Sequence, residues 1–280
     1  MEIFDAHTHI GSFGWEGYRG DFSSADEAIN ELRTCGVIRA CTVPWRAVLC
    51  ETEADLDAGN AEALSLRERF PEFIYPGVVI DFRWPARSLF WLKTFQQEGL
   101  RLVGELVPKS AEGENPFTHP AWRELFDAVE EAGMCLQLHN TTGTAKVAKA
   151  HPRLQIIGSH LPPSVLPELV ALPNVVLDIS GYQGGLCLHS LDKAREAFGA
   201  ERLLFGTDYD GYDPRPFIMR VQHAFTEAEQ RLVFRGNFKT IIEMDLAWHT
   251  PASGNGFRRG VATAQSVSSA SAHHALPISR

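Results

Sequence analysis

Eight short apolar, β-branched runs recur along this chain with helical stretches between them, and that alternation limits its fold more than any other feature. The runs cover residues 3–9, 37–44, 73–80, 100–107, 134–139, 154–160, 174–179 and 202–208. Several are nearly continuous hydrophobics, as in Gly77-Val78-Val79-Ile80 or Leu154-Gln155-Ile156-Ile157. Parallel strands buried on both faces have that pattern. The spacing predicts helices over 24–35, 53–70, 120–132, 165–172 and 186–198. The first opens on Ser24-x-x-Glu27, the form of a capping box. In 120–132, Trp122, Leu125, Phe126 and Val129 share one face, and Gly133 follows as a stop. Eight strands alternating with helices predict an α/β fold, a closed (β/α)8 TIM barrel. An open doubly wound sheet would need a glycine-rich phosphate loop after the first strand, where this chain has His7-Thr8-His9.

The barrel is expected to take up residues 1–249 as one domain. Residues 214–246 read as a helical extension that starts afresh at Thr226-Glu227-Ala228-Glu229. From Thr250 onward Ser, Ala, Thr and Gly dominate, so 250–280 is expected to be a low-complexity, disordered tail, with His273 and His274 as solvated residues of it. No apolar run approaches the ~20 residues of a membrane span, and Met1-Glu2-Ile3-Phe4-Asp5 has no cationic region of a secretory leader. Five scattered cysteines, none in a Cys-x-x-Cys pair, read as buried thiols of a cytoplasmic protein. The 26 basic and 35 acidic side chains leave a net charge of −9, which argues against a nucleic-acid partner and favours small-molecule chemistry.

The informative residues stand where the apolar runs end. Asp5, His7 and His9 are two apart, so on a strand they point to one face. Two imidazoles side by side make half of a zinc or iron site. The end position recurs at Glu105, at His139, at His160 and at Asp208. Four of the chain's 11 histidines and two carboxylates therefore fall at the strand ends where a barrel keeps its active site. His119, His151, His189, His223 and His249 have no such placement and read as structural or exposed.

His7-x-His9, His139, His160 and Asp208, in that strand order, resemble the amidohydrolase superfamily of metal-dependent barrel enzymes. Phe4-Asp5-Ala6-His7-Thr8-His9-Ile10-Gly11, Leu203-Leu204-Phe205-Gly206-Thr207-Asp208 and Gly236-Asn237 are similar to its "amidohydrolase 2" branch, over roughly residues 1–246. The resemblance implies that His7, His9 and Asp208 bind a divalent metal, with His139 as a further ligand. It implies that His160 is a ligand to a second metal or a catalytic group beside a single one. Glu105 stands where many relatives carry a carboxylated lysine bridging two metals, so it is a candidate ligand and the count is one or two per chain. Zinc is the expected ion, with manganese, iron and nickel open. By family habit the assembly is a homodimer.

A bound divalent metal makes hydroxide available near neutral pH and polarises the oxygen under attack. Asp208 is then the general acid–base and His160 the group that stabilises an oxyanion. Asp5 is a candidate partner fixing the tautomer of a ligating imidazole. Arg46, Arg83 and Lys109 follow strands two, three and four and suit an anionic substrate. Trp15 and Tyr18 in the loop after strand one, with Asn140, Tyr182, Tyr209 and Asp210, are further rim candidates. The leading expectation is a hydrolase of a small amide, lactone or ester. The alternative is a decarboxylase of an aromatic or unsaturated carboxylic acid, a lyase with the same ligands. Asp5-x-His7-x-His9 and Gly104-Glu105 are also similar to TatD-type deoxyribonucleases, against which the charge counts. A non-catalytic barrel would not keep all six ligands.

Overall fold

The computed structural model describes residues 2–11, 24–109, 116–139, 142–161, 166–181 and 184–243. The expected tail lies outside them. In chain order, β1 (Ile3–Thr8) leads to α1 (Ala25–Thr34), β2 (Val37–Thr42), the short α2 (Trp45–Val48), α3 (Glu53–Arg69) and β3 (Ile74–Pro76). Next come α4 (Pro85–Gln97), β4 (Leu102–Leu106), α5 (Pro120–Glu131), β5 (Cys135–His139), α6 (Thr142–Ala150) and β6 (Ile156–Ser159). The order ends with α7 (Leu166–Val170), β7 (Val175–Asp178), α8 (Ser190–Phe198), β8 (Leu203–Leu204), α9 (Pro214–Ala224), α10 (Glu227–Arg231) and α11 (Asn237–Glu243).

Local chemistry accounts for the helix ends. Ser24 is extended, and its hydroxyl accepts from Glu27 N at 3.3 Å. The α5 face of Trp122, Leu125, Phe126 and Val129 is buried as its spacing predicts, with Trp122 stacked on Phe126. Thr226 and Glu229 form a full capping box, and with Phe225 in an extended conformation they split the expected 214–246 helix. The helices α4 and α6 fill connections that the apolar pattern leaves unassigned.

All strand pairs are parallel and fall into two arcs, β1-β2-β3 and β4-β5-β6-β7-β8. Two seams join the arcs. At one, Val78 bridges Val103, with Val78 N donating to Leu102 O at 3.0 Å and Gly104 N to Val78 O at 2.7 Å. At the other, Thr8 bridges Tyr209, with Ala6 N donating to Phe205 O and Asp208 N to His7 O, both at 2.9 Å. The result is a (β/α)8 barrel, as predicted. Two runs are shorter as strands than as apolar segments. The third stops at Pro76, beyond which Gly77 presses so close that an added Cβ would lie 2.5 Å from Gly104 O. The eighth is regular only at Leu203–Leu204, and its remainder forms the second seam.

A π-helical turn over residues 232–236 covers β8. Phe205 N donates to Val233 O at 2.9 Å, Phe234 packs on Phe205, and Asn237 Nδ2 donates to Ala200 O and Leu203 O at 2.8 Å each. All five cysteines are free thiols, and Cys41, Cys50 and Cys135 are buried. Among the described residues no helix is long and apolar enough to cross a membrane.

Candidate metal centre

Six of the side chains that the strand ends supply converge in the barrel mouth. His7 Nε2 lies 3.1 Å from His9 Nε2, 3.3 Å from Glu105 Oε2 and 3.6 Å from Asp208 Oδ1. His9 Nε2 lies 3.1 Å from Asp208 Oδ1 and 3.8 Å from Glu105 Oε2. Donors held about 2.0–2.2 Å from a tetrahedral cation stand about 3.3–3.6 Å apart, so each of these pairs is spaced close to an edge of such a site. The other oxygen of Glu105 faces a second set, with Oε1 at 3.0 Å from His139 Nδ1 and 3.5 Å from His160 Nε2. The ligand atoms within each of the triads His7-His9-Glu105 and Glu105-His139-His160 all lie within 4.8 Å of one another.

The far sides of the rings decide which nitrogens are available. His9 Nδ1 donates to Val43 O at 2.8 Å. His160 Nδ1 donates to Ser180 O at 3.0 Å. His7 Nδ1 lies 3.0 Å from Asp178 Oδ2. A carbonyl or carboxylate oxygen only accepts, so each Nδ1 carries a proton and each Nε2 is the nitrogen that faces the cluster. The His9 ring also stacks on buried Trp45, with centroids 3.8 Å apart, and Trp45 Nε1 donates to Asp210 Oδ1 at 2.8 Å. That contact ties the start of α2 to the loop after β8 directly over a candidate ligand.

Burial would suppress charge on His7, but Glu105 and Asp178 outweigh it and raise its pKa well above the ordinary histidine value. The His160 ring is raised against its own burial by Glu105. Burial would raise Glu105 too, yet His7, His139 and His160 hold it well below the usual carboxylate range. Asp208 is likewise held low by His9 and His7 despite burial. Without a cation, protons on imidazoles balance the carboxylates. A divalent ion at those nitrogens would do the same, so the donor set fits one. The cluster is closed on one side and open on the other. The side chains of His7, His9 and Glu105 are at most 3 % exposed, whereas Asp208 is 15 % and His139 42 % exposed.

Backbone conformation aims two of these groups. His160 and Asp208 sit in the left-handed region at φ 66° and 63°, unusual for residues with a side chain. His160 N donates to Asp178 Oδ1 at 3.1 Å, and Asp208 N donates to His7 O. Gly181, at φ 71°, lets the His160 ring approach, since an added Cβ would lie 2.6 Å from its Nδ1.

Other expected residues fall differently. Asp5 bonds no imidazole. Its carboxylate accepts from His7 N and Thr207 N at 3.1 Å each and from Thr207 Oγ1 at 2.6 Å, clamping β1 to the end of the eighth run. Burial pushes its carboxyl up to about 7 against those donors. The carboxylate that bonds the ring of a candidate ligand is Asp178, marked in the sequence only by its place inside the apolar run 174–179. Neither it, nor Gln137 and Ser180, which bond it, nor Trp45 is among the residues expected from the sequence. Arg46 pairs with Asp55, and Arg83 is held by buried Asp81 and by Cys50 O, so neither guanidinium touches the cluster. Lys109 donates to Val48 O at 2.7 Å. Buried Tyr209 carries the second seam. Trp15, Tyr18, Asn140 and Tyr182 lie outside the described residues.

A family model described as "Amidohydrolase" matches residues 4–237. No curated protein sequence matches the chain. Among solved structures, 5-carboxyvanillate decarboxylase from Sphingomonas paucimobilis superposes with a TM-score of 0.67 at 14 % identity, covering 87 % of this chain and 99 % of its own. A probable 2-pyrone-4,6-dicarboxylic acid hydrolase from Acinetobacter baumannii gives 0.65 at 16 % identity, covering 87 % and 100 %. A 5-carboxyvanillate decarboxylase from Novosphingobium aromaticivorans, with bound manganese and 3-methoxy-4-hydroxy-5-nitrobenzoic acid, gives 0.67 at 11 % identity, covering 87 % and 97 %. At such identities the likeness is one of fold.

Proposed function

The chain belongs to the amidohydrolase family and is an enzyme, and on that premise we propose that it is a metal-dependent hydrolase of a small carbonyl compound, an amide, lactone or ester. The observation that carries this reading is Glu105, which offers one oxygen to His7 and His9 and the other to His139 and His160. That arrangement would offer donors to two divalent cations, His7, His9 and Glu105 to one and Glu105, His139 and His160 to the other, with zinc the ion that imidazole and carboxylate donors suit. Such cations supply water acidic enough to ionise near neutrality and polarise the carbonyl under attack.

His7, His9 and Glu105 would hold the inner ion, with Asp208 at the open edge, and His139 and His160 the outer one. Asp208, held ionised by its histidine neighbours, accepts the proton of the attacking water and returns it to the leaving group. When protonated, His160 Nε2 faces the mouth as a donor to a developing oxyanion. The open edge formed by His139, His160 and Asp208 is the side from which substrate enters.

A second reading is a decarboxylase, favoured by the solved decarboxylases of the same fold. In it the outer pair stays free of metal, and His160 delivers the proton that replaces the lost carboxyl group. Elemental analysis of tag-free wild type and Glu105→Gln, paired with a panel of amides, lactones, esters and aromatic carboxylates, tests both. About two metals per chain, fewer in the variant, with a hydrolysed product supports the first reading. About one metal, unchanged in the variant, with released carbon dioxide supports the second. A chain that takes up neither zinc nor manganese overturns both.

A further inference from the structure

Asp178 lies at the end of β7, fully buried and outside the proposed ligand set. Its Oδ1 accepts from His160 N at 3.1 Å, from Ser180 N at 3.0 Å and from the Ser180 hydroxyl. Its Oδ2 accepts from His7 Nδ1 at 3.0 Å and from Gln137 Nε2 at 2.9 Å. One carboxylate therefore grips the ring of an inner ligand on β1 and the backbone of the left-handed turn that carries His160.

We propose that Asp178 is a positioning residue that fixes a proton on His7 Nδ1 and so reserves Nε2 for the cation, while anchoring the turn that aims His160. The inference rests on the metal-centre reading above. A buried carboxylate has only acceptors to offer, so the ring opposite it must donate. The two sides of Asp178 are not interchangeable. His160 N and Ser180 N are backbone donors that cannot turn away, so whatever replaces Asp178 must keep an oxygen on that side. An asparagine would obey by placing its NH2 group against His7 Nδ1. Two donors cannot face each other, so the His7 proton would move to Nε2, the atom that meets the cation. Gln137 cannot relieve this, because its NH2 group also reaches Ala6 O at 3.4 Å. That NH2 group, 3.3 Å from His7 Nδ1, and the Ser180 hydroxyl, 3.0 Å from it, can both donate to the nitrogen once it is bare.

The test is Asp178→Asn, read by zinc affinity in a competition titration with a chelator and by long-range proton–nitrogen spectra of the histidines. In the wild type His7 Nδ1 carries a proton whether the protein is free or zinc-loaded. In the variant Nδ1 is bare in the free protein, and zinc affinity falls about 10–100-fold, the usual effect of losing such a partner. A purely structural role would lower thermal stability and leave the protonated nitrogen unchanged. Unaltered zinc affinity together with an unaltered His7 signal overturns the proposal. If the variant does not fold, a bare His7 Nδ1 in the wild type overturns it alone. A wild type that binds no zinc sinks the metal reading instead, and the spectra of the free protein still decide Asp178.

Discussion

On the proposed reading, protons and cations would compete for the same nitrogens in this mouth. Glu105 and Asp178 raise the pKa of His7, and Glu105 that of His160, so at neutral pH both rings lean toward the charged form. A cation needs the bare Nε2 and must expel that proton. Glu105 and Asp208 are held low and are already ionised, so they release none. Cation affinity should therefore rise with pH until the raised histidine values are passed, with on the order of one proton released per ion at pH 7. Calorimetric titrations in two buffers of different ionisation enthalpy would read that release, and buffer-independent heats would contradict it. Asp5→Ala leaves Thr207 N and Oγ1 and His7 N without their acceptor in a buried site, and should cost about 2–4 kcal/mol in denaturant unfolding. His7, His9, Glu105, His139, His160 and Asp208 were legible because each interrupts the end of an apolar run. Asp178 carried the same mark, one position before the end of its run. Trp45 was not legible, since its value comes from a loop–loop contact that no spacing encodes.

The element that aims His160 is the turn after β6, braced by the Asp178–Gly181 segment. Gly181→Ala would set a methyl group 2.6 Å from His160 Nδ1 on a left-handed backbone. We expect a loss of about 1–3 kcal/mol and a displaced His160 ring. Denaturation midpoints and the His160 nitrogen shifts would measure both, and unchanged shifts would show that the turn gives way elsewhere. Trp45→Phe keeps an aromatic face against His9 and removes the bond to Asp210, so it should cost about 1 kcal/mol. The strands as elements were legible because parallel strands buried on both faces must be apolar throughout. Their ends were not. The third run leaves its partner at Pro76 and meets another at Val78, and the eighth pairs regularly for two residues. Both departures depend on the neighbour across a seam, which sequence alone does not name.

For the whole chain, the barrel architecture followed from the eight-fold alternation, while its division into arcs of three and five strands did not. Loading the centre should stabilise the molecule by mass action. At free zinc about 100-fold above Kd the gain is about 2.7 kcal/mol, and at about 2–4 °C per kcal/mol for a chain of this size that is worth about 5–11 °C in Tm. A chelator titration followed by scanning calorimetry would check this, and a Tm indifferent to zinc would count against a preformed site.

The two arcs carry a further consequence. The His-x-His pair rides on the smaller arc, while Glu105, His139, His160 and Asp178 ride on the larger. His9 takes its brace from its own arc through Val43, and His7 takes its brace across the divide from Asp178. The larger arc carries the set of Glu105, His139 and His160 by itself, but the set of His7, His9 and Glu105 is complete only across the divide, so the centre reports whether the barrel has closed. A lesion at either seam, however far from the mouth, would silence the enzyme while each arc still looked folded to a probe of secondary structure.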